Sequence, residues 1–307
     1  MTLEEFKKYQ QDFLSYIDVE RNLSLNTQRA YQSDLHLFEQ FWHQIQEQEG
    51  ELIDFQRAAE RHLVSLFYKQ MDNDSIARRV SCFHSFKNFL LKCGVQASIS
   101  IARPRLEKKL PLYLTQEEMF HLLDKVPLSN LPTQRPLRDK AILELLYATG
   151  IRCSELCTMR FADIDFSSKT IRIKGKGRKE RFALFGTKAQ TCLQEYLEHE
   201  RPRAQSPKEH IFLSQHNHPL TTRSVQRIIK MFRVFLGGHK ALTPHKIRHS
   251  FATHLLNQGV DIRIVQELLG HALLATTEKY THVTLKDLKE TCAQLHPLNN
   301  PPSDEQS

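Results

Sequence analysis

Apolar side chains recur at helical spacing through the first hundred residues. Tyr31, Leu35, Phe38 and Trp42 follow one another at i, i+4, i+7 and i+11, a spacing that places side chains on one face of a helix. Three further stripes of the same kind lie within residues 6–17, 63–67 and 76–90. Gly94 follows the last stripe, where a helix commonly ends. The pattern predicts an N-terminal unit of four helices.

The pattern breaks between residues 101 and 112. This stretch is basic, carries prolines and has no apolar period, which is typical of a linker. The last ten residues, 298–307, are polar and contain two prolines, so we expect a disordered tail. The predicted organisation is therefore a helical domain over 1–100, a basic linker over 101–112, a second domain over 113–297 and a tail over 298–307.

The second domain is predicted to be mainly helical with a small antiparallel sheet. Thr115 and Glu118 form a capping-box pattern at a helix start. Residues 137–149 form a mostly apolar helix that Gly150 ends. Residues 164–185 then alternate between apolar and polar side chains, and Gly175 and Gly177 interrupt them. Alternation around a glycine turn predicts a β-hairpin with Lys176 at its tip, and helical periodicity resumes from residue 189.

The net charge of the chain suggests a polyanionic partner. The 307 residues contain 43 Lys+Arg against 35 Asp+Glu, a formal net charge of +8. An excess of this size favours a polyanion, with nucleic acid first, although an ordinary basic protein is an equal alternative. We expect DNA phosphates to be contacted by polar residues of the helices and of the hairpin: Thr27, Arg29, Arg78, Arg79, Lys87, Arg178 and Lys179. A solvated polar face is the alternative interpretation.

Cysteine usage and the N-terminus point to the cytoplasm. The six cysteines are scattered through the chain, as expected of free thiols in a reducing compartment. Cys153 and Cys157 are spaced i, i+4, but no second pair has ligand spacing, so we interpret them as core residues. No signal-peptide pattern opens the chain and no apolar run reaches membrane-spanning length. We expect a cytoplasmic or nucleoid-bound protein.

A set of side chains in the second domain suits phosphoryl transfer. It consists of one phenol, two guanidiniums, one amine and two imidazoles: Tyr280, Arg152, Arg248, Lys176, His245 and His271. Two arginines can clamp the charge that builds on a phosphodiester during displacement. A lysine can protonate the departing hydroxyl, and an imidazole can take the proton of the attacking phenol. Neither a metal nor ATP is required, so we expect no cofactor.

Residues 245–254 are the densest part of this set. Pro244 is typical of a helix start, and His245 and Arg248 are then i, i+3 on one face. His245 and His249 also have the spacing of a metal pair. A hydrolytic zinc site would place a Glu between them and add a third ligand, whereas cationic residues stand there. We interpret His249 and His254 as packing or hydrogen-bonding residues.

These motifs resemble the tyrosine recombinase (phage integrase) family, and within it the Xer-type recombinases. The resemblance rests on Ala-Thr-Gly-Ile-Arg at Arg152, His-Lys-Ile-Arg-His at 245–249, Leu-Gly-His at His271 and Tyr-Thr-His at Tyr280. Residues 23–35 resemble the family's N-terminal core-binding domain. The resemblance implies a SAM-like helical domain followed by the DNA breaking-rejoining fold, a 3′-phosphotyrosyl intermediate at Tyr280, and Lys176 as the hairpin lysine.

The resemblance also implies partners. Two domains would clamp a DNA duplex, and four protomers would form the recombination synapse. A second, paralogous recombinase and a DNA translocase that acts as regulator are further candidate partners. The amphipathic segment 284–296 would dock on a neighbouring protomer. The expected role is resolution of chromosome or plasmid dimers at cell division. The alternatives are an integrase of a phage or mobile element, a non-catalytic DNA-binding regulator, or a type IB topoisomerase.

Overall fold

The computed structural model describes residues 1–50, 52–69, 71–96, 113–174, 180–238 and 241–270. The chain divides into two compact units, Met1–Leu110 and Pro111–Ser307. This division falls inside the predicted linker, whose residues lie outside the described ones. The exact domain boundaries and the tail remain predictions. So do the placements of Lys176, Arg178, Lys179, His271, Tyr280 and the segment 284–296.

The N-terminal unit contains the four predicted helices. They are α1 (Leu3–Val19), α2 (Leu25–Glu49), α3 (Phe55–Tyr68) and α4 (Asn73–Lys92). Side chains of Thr2, Ser24 and Asp54 accept hydrogen bonds from the first turns of α1, α2 and α3, which fixes where these helices begin. Gly94, at φ +78°, follows α4 as predicted.

The core of this unit is largely aromatic. Phe6, Phe38 and Trp42 are fully buried, and the Phe6 ring lies 5.2 Å from that of Phe38 in an edge-to-face arrangement. Phe86 of α4 approaches the same Phe6 ring at 5.4 Å. Edge-to-face contacts add to area burial, so the stripes that predicted separate helices also pack these helices together.

The C-terminal unit is mainly helical with one small sheet. Its helices are α5 (Gln116–Phe120), α6 (Pro136–Thr149), α7 (Cys153–Thr158), α8 (Thr187–His199), α9 (Thr222–Met231), α10 (Pro244–Asn257) and α11 (Ile262–Leu269). Its strands are β1 (Ile164–Asp165), β2 (Thr170–Lys174) and β3 (Glu180–Leu184). Short turns of other helix types cover His121–Lys125, Leu128–Asn130, Phe161–Asp163 and Phe232–Leu236. The predicted capping box of Thr115 and Glu118 is present.

Helix α6 is the centre of the second core. Every residue from 141 to 149 is buried, and the helix packs against α8, α9 and α10. Gly150 ends α6 at φ +60°. A Cβ atom at this glycine would lie 2.4 Å from Cδ1 of Phe251 on α10. The glycine therefore allows both the left-handed turn and the close approach of α10.

The sheet has the order β1-β2-β3 with antiparallel neighbours. Ile171 pairs with Ala183 and Lys174 pairs with Glu180, so β2 and β3 form the predicted hairpin. Residues 175–179 join these strands and lie outside the described residues. Among the described helices, none is long and apolar enough to cross a membrane.

Candidate active site and nucleic-acid interface

The C-terminal end of α11 is covered by arginines. Three guanidiniums each donate to one of three consecutive carbonyl oxygens there. The pairs are Arg181 Nε with Leu268 at 3.3 Å, Arg248 Nη2 with Leu269 at 2.7 Å, and Arg152 Nη2 with Gly270 at 3.5 Å. The last carbonyls of a helix have no partners within it and carry its negative dipole end. Cations are therefore favoured at this position.

One buried carboxylate organises two of these arginines. Glu155 Oε1 accepts from Arg152 Nη1 at 3.0 Å and from Arg181 Nη1 at 2.9 Å, and Glu155 Oε2 accepts from Arg181 Nη2 at 2.8 Å. Burial of the carboxyl raises its pKa, but the hydrogen bonds from Arg181 and Arg152 outweigh this and leave the pKa of Glu155 lowered. With Arg248 at the same helix end, the cluster holds three guanidiniums and one carboxylate, which leaves an excess of positive charge.

The two predicted catalytic arginines have different exposure. The Arg152 side chain is 46% exposed, whereas Arg248 is only 8% exposed. Arg248 also donates to the Gly150 carbonyl at 2.6 Å, so it joins α10 to the end of α6 as well as to α11. Burial, aided by nearby Arg152, lowers the pKa of Arg248 to about 10, so it stays cationic at neutral pH. Arg152 presents its charge to solvent, and Arg248 lies behind it.

Local sequence explains how Arg152 and Glu155 meet. Arg152 is the N-cap residue of α7, and its backbone N–H donates to Glu155 Oε2 at 2.7 Å. Glu155 lies three residues later in the first turn, where a carboxylate commonly reaches back to the N-cap. Gly150 and Ile151 connect this short helix directly to the end of α6. The rigid α6 thus fixes the position of Arg152.

The histidines of α10 separate into exposed and packed residues. His245 lies in the first turn of α10 and is exposed. His249 is half-buried with its ring centroid 6.2 Å from that of Tyr113, and buried His254 shares a 2.8 Å hydrogen bond through Nδ1 with the Tyr147 hydroxyl. The prediction that His249 and His254 serve packing and hydrogen bonding is confirmed. Arg248, three residues after His245, is turned inward by its carbonyl partners.

The remaining predicted catalytic residues lie outside the described residues. Lys176 falls between the end of β2 and the start of β3, His271 directly follows Gly270, and Tyr280 comes nine residues later. The start of β3 and the end of α11 meet at the arginine cluster, because α11 packs against β3 and Arg181 donates to the Leu268 carbonyl. Within the described ranges, no group of His, Cys, Asp and Glu side chains could hold a metal ion. Cys153 and Cys157 are partly and fully buried, in accord with their predicted packing role.

The N-terminal candidate DNA contacts differ from one another. Arg29 is exposed, Thr27 shares a 2.9 Å hydrogen bond with Ser24, and Lys87 is half-buried. Their contribution to DNA binding stays a prediction.

Arg79 does not lie on the polar face where we expected it. It is 9% exposed, and its Nε lies 3.5 Å from the buried carboxylate of Asp34 on α2. Arg78 is exposed and pairs with the same carboxylate. Arg79 is therefore corrected to a buried residue that joins α2 to α4.

The sequence interpretation missed Glu155, Arg181 and Asp34, although each had a signal. Glu155 follows Arg152 at capping-box spacing. Arg181 lies two residues before buried Ala183 along β3, so the two side chains share the inward face of the strand. Asp34 lies four residues before Phe38 on the apolar stripe of α2. A charged residue on a buried face needs an opposite charge beside it, which is the pattern to look for.

Comparisons with known proteins follow the same division. Residues 113–286 match the phage integrase family, and residues 11–94 match the phage integrase N-terminal SAM-like domain. The tyrosine recombinase XerC of Staphylococcus aureus strain JH9 is 38% identical over 292 residues, which cover 94% of this chain and 96% of that protein.

Two solved structures share the fold at low identity. The XerH site-specific recombinase bound to its difH substrate superposes with a TM-score of 0.64 at 24% identity, over 86% of this chain and 79% of that one. The Tn1549 transposon integrase in complex with transposon right end DNA gives 0.63 at 19% identity, over 96% and 99% of the two chains.

A SAM-like helical unit followed by a mainly helical unit with a three-stranded sheet is the fold of enzymes that break and rejoin DNA. The matched domains and the identity to XerC carry this further. The chain belongs to the phage integrase family and is a Xer-type, site-specific tyrosine recombinase. Its activity is DNA strand transfer through a covalent protein–DNA intermediate.

Proposed function

We propose that Arg152 and Arg248 bind the scissile phosphate and that Tyr280 attacks it. The observation that carries this proposal is the arginine cluster at the end of α11. It holds an excess of positive charge, and the half-exposed Arg152 is its outermost member. A phosphodiester under attack gains negative charge on its non-bridging oxygens, and fixed guanidiniums stabilise that charge without reorganising.

The other predicted residues take the roles that the reaction requires. Lys176 protonates the departing 5′-oxygen. His245 and His271 hold the phosphate and accept the proton of the Tyr280 phenol. The exposed position of His245 in the first turn of α10 supports this role, because backbone N–H groups there also favour an anion. The 3′-phosphotyrosyl bond then conserves the energy needed for a second hydroxyl to rejoin the strand.

A nicked suicide duplex tests this assignment. A short fragment diffuses away after cleavage, so the covalent complex accumulates and survives SDS. We expect the adduct with the native enzyme, with and without EDTA, and none with Tyr280→Phe. An adduct with Tyr280→Phe would overturn the nucleophile assignment, and loss of the adduct in EDTA would indicate a metal.

We propose that the biological substrate is a chromosome or plasmid dimer that is resolved at cell division. The identity to a XerC protein over nearly the whole chain supports this role. Sequencing DNA trapped on the protein in cells tests it, because a single chromosomal or plasmid site is expected. Trapped ends of a phage or transposon would favour an integrase instead.

The proposed assembly is a tetramer on two duplex sites in the cytoplasm. Arg29, Thr27, Arg78, Lys87, Arg178 and Lys179 contact DNA phosphates in this proposal. The segment 284–296 docks on a neighbouring protomer, and a paralogous recombinase and a DNA translocase are candidate partners. Deleting residues from 285 onward should leave monomer binding to DNA intact and impair strand exchange. Wild-type exchange by this deletion would refute the docking role.

A further inference from the structure

Arg181 is held more completely than either proposed phosphate-binding arginine. Its two terminal nitrogens form a bidentate pair with Glu155 at 2.9 and 2.8 Å, and its Nε donates to the Leu268 carbonyl at 3.3 Å. The side chain is only 11% exposed, and that of Glu155 is 8% exposed. A planar guanidinium matches a carboxylate in this way, which fixes both groups in one plane.

These bonds use all three nitrogens of the Arg181 guanidinium. Arg152 differs, since its Nη1 shares Glu155 with Arg181 and, among the described residues, its Nη2 has only the long 3.5 Å contact with Gly270. Arg152 is thus free to turn toward a phosphate, whereas Arg181 is committed to protein partners. Arg181 is therefore not itself the phosphate ligand.

The position of Arg181 joins three segments of the candidate site. Its backbone belongs to β3, its carboxylate partner belongs to α7, and its carbonyl partner belongs to the end of α11. It also packs on Gly270, where an added Cβ atom would lie 2.7 Å from Arg181 Cδ. Residues 175–179 precede this strand in the chain, and His271 follows Gly270 directly.

We propose that Arg181 is a positioning residue for strand cleavage. It holds the Glu155 carboxylate in the orientation that sets Arg152 against the scissile phosphate. This inference rests on the proposed role of Arg152. Lysine cannot replace Arg181, because an ammonium is a point charge and cannot bind both carboxylate oxygens and the Leu268 carbonyl in one plane.

The test compares single-turnover cleavage of the suicide duplex by native enzyme, Arg181→Lys and Arg181→Gln at saturating protein. We expect both variants to cleave ~100-fold more slowly, as small misplacements of a catalytic group do, while their Kd for the uncleaved site changes less than about twofold, because many other cations contact DNA.

Arg201→Lys is the matched control for loss of a buried arginine. Arg201 is also buried, pairs with Glu209 at 3.2 Å and donates to the Ile211 carbonyl at 2.9 Å. The Arg201→Lys protein should have a lower Tm and should cleave the suicide duplex at the native rate. If Arg201→Lys slows cleavage as much as Arg181→Lys does, the Arg181 effect is general destabilisation and the proposal is wrong.

A double variant separates positioning from other roles. Arg181→Lys in an Arg152→Ala background should slow cleavage by less than about threefold more, since Arg181 acts through Arg152. Independent, multiplied effects would refute the proposal. Rescue of Arg181→Lys by a substrate with sulfur at the bridging 5′ position would also refute it, because Arg181 would then serve the proton donor. These ratios of cleavage rates do not depend on which residue becomes covalently attached to the DNA. Failure of the Tyr280 assignment can therefore be distinguished from failure of this proposal.

Discussion

Arg248 Nη2 donates a 2.7 Å hydrogen bond to the carbonyl oxygen of Leu269, the last residue of α11. Through Nη1 the same guanidinium reaches the Gly150 carbonyl at the end of α6. Arg248 therefore fixes the ends of two helices, and Arg152 and His271 follow those ends by three and two residues in the chain. The proposed phosphate-binding residue is also a structural one.

Replacing Arg248 should affect both cleavage and stability. Arg248→Ala leaves two carbonyls without partners, and hydrogen bonds to a charged group contribute roughly 1.5–3 kcal/mol each. We expect a lower Tm and cleavage slowed by about 100-fold or more, as when one oxyanion donor is removed. DNA binding at low salt should persist. Complete loss of binding by a variant that is still folded would assign Arg248 to DNA anchoring instead.

Gly150 should tolerate no side chain. Gly150→Ala places a non-glycine residue at φ +60° and a Cβ atom 2.4 Å from the Phe251 ring. The left-handed backbone and the overpacking together should cost ~2–4 kcal/mol of unfolding free energy. Gly259→Ala is the matched control, because Gly259 has φ +84° with nothing within 4 Å of an added Cβ. Equal losses in urea denaturation would contradict the packing argument.

Substitutions at Arg29 and Arg79 should have different effects, the first on DNA affinity and the second on the stability of the N-terminal unit. Arg29→Ala removes an exposed cation, so we expect an unchanged Tm, weaker DNA binding and a shallower salt dependence by about one phosphate contact. Arg79→Ala leaves Asp34 buried beside Arg78 alone and should destabilise the N-terminal unit by ~3 kcal/mol. Titrations of DNA at several salt concentrations, with thermal melts, distinguish the two. A normal Tm for Arg79→Ala would contradict the buried pair.

The contrast between Arg29 and Arg79 shows which structural features can be predicted from the sequence and which cannot. Periodic stripes and capping residues predicted α1 to α4, the capping box of α5, the buried α6 and the hairpin, because local geometry determines those patterns. Arg79 lies three residues after Ile76 and four before Phe83, on the apolar stripe itself, but its partner Asp34 is on another helix. Pairings such as Arg181 with Glu155 likewise depend on tertiary packing, which no local pattern specifies.

Glu144 should make stability fall as pH rises. Burial raises the pKa of this fully buried α6 carboxyl to about 7, and neither of its oxygens has a hydrogen-bond partner among the described residues. The folded state therefore binds a proton that the unfolded state has lost above about pH 4.5. The stabilisation is complete below that pH and is lost as pH rises through about 7.

Glu144→Gln should remove this dependence. We expect equal Tm values for native enzyme and variant near pH 5, and a higher Tm for the variant at pH 8, corresponding to at most ~3 kcal/mol. The measurement is a series of thermal melts between pH 5 and pH 8. A parallel fall in both proteins would show that another group is responsible.

The central claim of the mechanism is that Lys176 donates the proton to the leaving oxygen while Arg152 and Arg248 stabilise the charge on the phosphate. A duplex with sulfur in place of the bridging 5′-oxygen measures it directly, because the thiolate leaves without a proton. We expect Lys176→Ala to cleave the oxygen substrate very slowly and the sulfur substrate at nearly the native rate. Arg152→Ala and Arg248→Ala should stay slow on both, since the phosphate charge still needs stabilisation. If Lys176→Ala is equally slow on both substrates, the proton donor is another residue and the account is contradicted.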